Sequence, residues 1–314
     1  MPLDPQVKGL LDQLDAQGLP PFERMTVAQA REIIQGFKDL GGPELPVGRV
    51  EDREIPGPAA PIPLRIYSPA GEGPFPLLIF IEGGGWVFGD IALADNPCRG
   101  LVNAAHCIVV SVGYRQAPEH KFPAASDDCY AATKWVADHA AELGGDASKL
   151  GIGGDSAGGN LAAVVCLMAR DRGGPRLVLQ LLINPVTDMV SHGPSYAEYS
   201  DGYFLTVKGL EWMLGHYLND EDDRHDFRAS PSLASSHAGL PAAFIVTAEC
   251  DPVRDDGEAY GQKLGAAGVP VKIRRYDGMV HGFLYMAGVI DRVKEIYDEI
   301  GAELTSAFAS RAAV

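Results

Sequence analysis

From about residue 46 onward, short apolar runs alternate with longer amphipathic stretches. The runs LRIYS (64–68), LLIFI (77–81), CIVVSV (107–112), LQLLI (179–183), AFIVTA (243–248) and VKIRRY (271–276) are rich in β-formers. Each is bounded by Gly or Pro, which predicts strands. A period near 3.6 predicts helices over about 92–105, 125–143, 158–171, 254–267 and 288–309. Strands apolar on both faces, alternating with helices, indicate an α/β chain whose mostly parallel central sheet is flanked by helices on both faces.

Two intervals break the alternation. In residues 1–45, Leu10, Leu11 and Leu14 fall at helical spacing, followed by a Pro-rich break and a second helical pattern, VAQAREIIQGFKDL. Residues 187–228 hold aromatic-rich helical pieces and no clear strand. A long insertion in an α/β unit tends to lie over the carboxyl ends of the strands, where ligands bind. The expected organisation is a catalytic domain over 46–314, with a cap built from the 187–228 insertion and the N-terminal helical part, 1–45. The plainer alternative is a helical insertion without a functional role. There is no internal repeat and no low-complexity segment.

Composition narrows the partners. The 314 residues carry a formal charge of −16, and no Lys/Arg cluster has the density of a nucleic-acid patch, so nucleic acid and anionic membranes are disfavoured. No apolar run is long enough for stable membrane insertion, and the N-terminus lacks the basic start and apolar core of a secretory signal. The expected location is cytoplasmic. The five cysteines are scattered without a CxxC pair, which argues against a disulfide framework or a metal site; most read as small buried hydrophobes.

The chemistry concentrates in four places. The run GIGGDSAGGN (151–160) sits where a strand passes into a helix. It fails as a phosphate loop, because Asn160 stands where GxxxxGK[ST] needs lysine and Ser156 where GxGxxG needs glycine. It fits GxSxG at Gly154, Ser156 and Gly158, a strained elbow that lifts a serine hydroxyl above the sheet. Its bland reading is a helix N-cap, so partners must decide. A serine needs a base, and of His192, His216, His225, His237 and His281 only the last follows a core strand. The acid should end a strand between serine and histidine: Asp251 does, whereas its rivals Asp255 and Asp256 fall on the following helix, solvated or capping. Ser156, Asp251 and His281 in that order suit acyl transfer.

Such a reaction forms an oxyanion that needs backbone amides aimed at it. The Gly-rich stretch EGGGW after the strand at 77–81 supplies them at Gly83 to Gly85, joined by Ala157, the residue after the serine. Trp86 and Phe88 are candidates for the acyl pocket, with core packing as the alternative. Tyr196, Tyr199, Tyr203, Phe204 and Trp212 are aromatics of the insertion, read by default as cap packing, with one or two of them, from Tyr203, Phe204 and Trp212, lining the alcohol pocket. Asp155 is placed to hold the elbow, and Arg115 with Glu119 forms an expected structural ion pair.

The set EGGGW, YRQAPEHKFPAA (114–125), GDSAGGN, DPVRDDG (251–257) and HGF (281–283) resembles the hormone-sensitive lipase family of α/β-hydrolase esterases over about residues 40–310. The resemblance implies the α/β-hydrolase fold with a helical cap, and a serine carboxylesterase for short- to medium-chain esters without a cofactor. Position by position it implies the triad Ser156, Asp251, His281 and the oxyanion donors Gly84, Gly85 and Ala157. It also implies a small-molecule ester as partner and, weakly, a homodimer. Three departures stand out: Glu82 replaces the histidine before the glycine triplet, Gly113 replaces an aspartate, and Gln116 replaces a leucine. Glu82 is read as anchoring the oxyanion loop through hydrogen bonds, in place of the missing His and Asp. Rival functions are the same triad on a thioester, lactone or amide, and a non-catalytic receptor on the same scaffold.

Overall fold

A computed structural model describes residues 3–309. In chain order the elements are α1 (Pro5–Ala16), α2 (Val27–Gly36), β1 (Arg49–Ile55), β2 (Ile62–Ser68), β3 (Phe75–Ile81), α3 (Asp95–Ala105), β4 (Ile108–Val112), α4 (Ala124–Asp138) and β5 (Gly145–Asp155). They continue with α5 (Ala157–Asp171), β6 (Leu179–Ile183), α6 (Ser195–Glu198), α7 (Val207–Tyr217), β7 (Ala242–Cys250), α8 (Arg254–Ala266), β8 (Val271–Val280) and α9 (Arg292–Ala309).

The eight strands form one sheet in the order β1-β2-β4-β3-β5-β6-β7-β8. From β4 across to β8 every pairing is parallel, while β1–β2 and β2–β4 are antiparallel. Side chains of β3 alternate between two cores: Leu77, Ile79 and Ile81 enter one, Leu78 and Phe80 the other. All five are fully buried, each worth ~1.5–3 kcal/mol relative to exposure. Helices α4, α5 and α8 cover the first face, and α3 and α9 the second. Period-2 burial on both faces is why this strand reads as an unbroken apolar run.

Two strands differ from expectation. β1 was not foreseen, because RVEDREI lies at the sheet edge and buries only Ile55. β5 begins in the polar segment GDASK and turns apolar only at Leu150, so only its junction with α5 carried a signal.

The N-terminal helices are short and need external support, since isolated helices of their length are marginal in water. Asp4 caps α1, accepting from the Gln6 and Val7 amides. Thr26 and Gln29 form a capping box on α2, each cap worth about 1 kcal/mol. The segment docks on the far end of the chain: the Asp4 amide donates to Gly278 O (3.1 Å), the Gly288 amide to Leu40 O (2.9 Å), and the Gln6 side-chain amide to Asp291 (3.0 Å).

Candidate active site

Four segments just past carboxyl ends of parallel strands converge: 82–85 after β3, Ser156 after β5, Asp251 after β7 and His281 after β8. Ser156 has φ +55° and ψ −117°, a conformation that is strained for a residue with a β-carbon. Close packing enforces the turn. A β-carbon on Gly158 would lie 1.9 Å from Ile81 O, and one on Gly154 would lie 2.4 Å from Gly158. Only glycine at both positions lets α5 start against the end of β3.

Ser156 Oγ–H donates to His281 Nε2 at 2.7 Å, and His281 Nδ1–H donates to Asp251 Oδ2 at 2.8 Å. The second bond fixes the tautomer, because an ionised carboxylate only accepts. The other Asp251 oxygen accepts from the Val253 amide at 3.0 Å, and the carboxylate is fully buried. Burial opposes a charge on His281, but the charge and hydrogen bond of Asp251, with the charge of Asp155, outweigh it and lift its pKa above the ordinary 6.5. Burial pushes the Asp155 carboxyl up to about 7, against the pull of His281 and of the Asn184 amide.

The glycine turn is built for close approach. Gly84 has φ +120° and Gly85 φ +57°. A β-carbon on Gly84 would meet Phe88 O at 2.0 Å, and one on Gly85 would meet Met213 Sδ at 2.0 Å. The Gly84 carbonyl accepts from the Val87 and Phe88 amides. Among the described residues, the Gly84 and Gly85 amides find no protein acceptor. Ala157 opens α5, where first-turn amides lack intrahelical partners. The arrangement can hold a carbonyl carbon beside a hydroxyl nucleophile and collect negative charge on its oxygen.

A cavity of about 360 Å³ opens over these groups. Its walls are Leu14, Phe22, Ile34 and Phe37 from the N-terminal segment, Phe88 from the glycine loop, and Phe204, Leu205 and Met213 from the insertion. A larger open cavity of about 520 Å³ lies at the amino-terminal ends of β6 and β7, lined by Arg170, Arg176 and Pro241. That is the opposite end of the sheet from Ser156, and the first cavity is the relevant one.

Several expected roles fall away. Trp86 is fully buried, stacked on Tyr217 at 4.6 Å between ring centres, and belongs to the core. Trp212 stacks on Phe22 behind the wall, and Tyr203 packs edge-on against Tyr199. Neither lines the cavity. The hydrogen bonds expected of the Glu82 side chain are not made: it is 1% exposed and its Oε2 has no partner. Its backbone carbonyl, not its carboxyl, accepts from the Tyr114 hydroxyl at 3.3 Å. Arg115 pairs with buried Asp128, not with Glu119. Of the rival acids, Asp255 accepts from the Ser195 amide and pairs with Arg254. Asp256 is buried, not solvated, and its Oδ2 lacks a hydrogen bond, with His192 Nδ1 4.0 Å away.

Other residues gave no sequence signal for their part. Asn184 donates to Asp155 Oδ1 (3.3 Å) while its Oδ1 accepts from the Ala248 amide (3.0 Å), tying three strands behind the elbow. Its φ of +42° is an Asn-tolerated conformation invisible in the run INP. The Tyr285 hydroxyl accepts from the Gly83 amide at 3.3 Å. Arg31 on α2 donates to Val87 O (2.9 Å) and Ala117 O (3.0 Å) and forks onto Glu119.

Comparison with known proteins identifies the family. Residues 78–285 match a family model described as the alpha/beta hydrolase fold. The chain is similar to the carboxylic ester hydrolase LipN of Mycobacterium tuberculosis, with 47% identity over 78% of this chain and 66% of that one. It is 43% identical to the esterase LipI of the same organism, over 91% of this chain and 90% of that one. The solved structure of a hyperthermophilic esterase from Pyrobaculum calidifontis superposes with a TM-score of 0.93 at 41% identity, covering 98% of this chain and all of that one. The chain belongs to the α/β-hydrolase superfamily. Within it, the chain is a family IV esterase of the hormone-sensitive lipase type, a serine carboxylic-ester hydrolase.

Proposed function

We propose that Ser156 is the nucleophile, His281 the general base and Asp251 the residue that orients and charge-balances His281. The observation that carries this is the unbroken chain of hydrogen bonds, 2.8 and 2.7 Å, from Asp251 through His281 to Ser156 at the floor of the cavity. His281 takes the serine proton as Oγ attacks the ester carbonyl. The oxyanion receives the Gly84, Gly85 and Ala157 amides, and removing one such donor typically costs ~10²–10³ in rate. His281 then returns the proton to the leaving alcohol, and the same residue activates water against the acyl-enzyme.

The substrate in this reading is a neutral ester with a short- to medium-length apolar acyl chain. It is held under a cap formed by residues 1–45 and 187–228. No helix of the described residues is long and apolar enough to cross a membrane. The same reading takes the protein as cytoplasmic and homodimeric. Labelling with an organophosphonate should add one adduct, mapped to Ser156 and lost in Ser156→Ala, with turnover of p-nitrophenyl butyrate falling ~10⁶-fold. An adduct elsewhere, or turnover surviving the substitution, contradicts the assignment.

A further inference from the structure

The carboxyl of Glu82 is an acid placed where nothing nearby favours its charge. It leaves the end of β3 one residue before the glycine turn and is 1% exposed. Its Oε2 has no hydrogen-bond partner among the described residues. The carboxyl carbon lies 3.8 Å from the position a β-carbon on Gly89 would take. It therefore packs into the base of the 83–89 loop, between its first and last residues. The titratable groups facing it are Asp90 from the loop, Cys98 from α3, Tyr114 after β4, Cys129 from α4 and Tyr285 after β8. None of these is a cation.

Glu82 has little means of escape to water. Its carbonyl is held by the Tyr114 hydroxyl, and α5 presses so close that a β-carbon on Gly158 would lie 2.5 Å from that same oxygen. Residue 113 offers no partner, since a β-carbon there would already meet Pro63 at 2.8 Å and Ile91 at 3.1 Å. Asp90, the charged group nearest in effect, is itself fixed by the Leu93 amide and the Gln35 side chain.

We infer that Glu82 is a positioning residue that works as a neutral acid, filling the base of the oxyanion loop, and that its ionisation displaces the Gly84 and Gly85 amides from the oxyanion. An unpaired buried charge must be hydrated or moved, and repulsion from Asp90 drives residues 83–90 outward. Burial, reinforced by Asp90, raises the Glu82 pKa well above its ordinary value, so the acid form persists to higher pH than in an exposed glutamate. The displaced amides touch only the transition-state oxygen, so ionisation lowers kcat and leaves KM nearly constant.

This inference rests on the esterase reading of the same site, and the two fail differently. Absence of ester turnover at neutral pH removes the esterase reading, whereas turnover that ignores Glu82 removes only this assignment. The test is kcat and KM between about pH 7 and about pH 10 for the wild type, Glu82→Gln and Glu82→Ala. The wild type should lose at least tenfold in kcat across the range. Glu82→Gln, the neutral isostere, should show no such loss, and Glu82→Ala should be slow at every pH. An alkaline fall that is absent in the wild type, or retained in Glu82→Gln, overturns the proposal. Should the variants not fold, ¹³C-carboxyl NMR of glutamate-labelled wild type decides. One glutamate still protonated at neutral pH supports it, and complete ionisation of all glutamates refutes it.

Discussion

At the scale of single residues, the charge balance around His281 sets opposite trends for activity and stability. In the proposed mechanism His281 acts as base only when neutral, and against burial its pKa is raised chiefly by Asp251. Hydrolysis should therefore fall as pH drops through a midpoint above 6.5, the ordinary histidine value. Stability runs the other way. A histidine whose pKa is raised by folding contributes stability that is complete below its unfolded pKa and is lost as pH rises through the folded one. Asp155, lifted from 3.8 to about 7 by burial, also favours its protonated form in the folded state, and that stabilisation is lost as pH rises between those two values. Scanning calorimetry should show Tm declining from about pH 6 to about pH 8 while kcat/KM climbs. Parallel rises in both would contradict the cluster described here. Asp251→Asn should keep the fold and reduce kcat ~10⁴-fold, because the amide favours the wrong histidine tautomer.

Ser156 was legible from the GxSxG pattern at a strand-to-helix junction, and Asp251 and His281 because each follows an apolar strand. The state of Glu82 was not. A carboxylate beside three glycines reads as an anchor until its surroundings are known, and those come from α3, α4 and the β4 and β8 ends, remote in sequence. Arg31 escaped notice for the same reason. It sits among polar residues on one face of a short helix, and its acceptors are backbone carbonyls 56 and 86 residues away.

At the scale of elements, α2 is bound to the oxyanion loop as well as lying over the pocket. Arg31 and Gln35, one turn apart, both reach segment 87–90, the first at Val87 O and the second at Asp90. Phe22, just before the helix, stacks on Phe88 at 5.3 Å. The ion pair to Glu119 is half exposed and contributes little, so the carbonyl bonds matter more. Arg31→Ala should cost ~1–2 kcal/mol of stability. It should also lower kcat about tenfold by loosening the loop that carries Gly84 and Gly85. Stopped-flow acylation and thermal melts would check the two effects. A melt change without a rate change would mean that the helix only shields the pocket.

Strand and helix patterns gave these elements well wherever both faces of the sheet are covered. They gave β1 not at all, since an exposed edge strand with alternating charges has no apolar run to announce it. The pocket aromatics were legible only as a group. Trp86 and Phe88 are two residues apart, yet φ +62° at Trp86 turns its ring into the core while Phe88 faces the cavity.

For the whole molecule, the pocket is an apolar space between two separately encoded covers. Each methylene that leaves water there gains ~0.8 kcal/mol, or about fourfold in kcat/KM. With about 360 Å³ available, kcat/KM on p-nitrophenyl esters should climb steeply from acetate, then level and fall once the chain outgrows the walls. A flat series would mean that the acyl group lies elsewhere. The net charge of −16 adds a bias against anionic esters that should weaken as salt is added.

The docking of residues 4–40 onto residues 278–291 bears on how the polypeptide is made. A ribosome delivers the first helices long before the surface they bind, and residue 281 long after residue 156. Through most of synthesis the leading segment has no seat and the serine has no base. A product cut short before residue 278 would lack both the seat of the leading helices and the imidazole of the proposed triad.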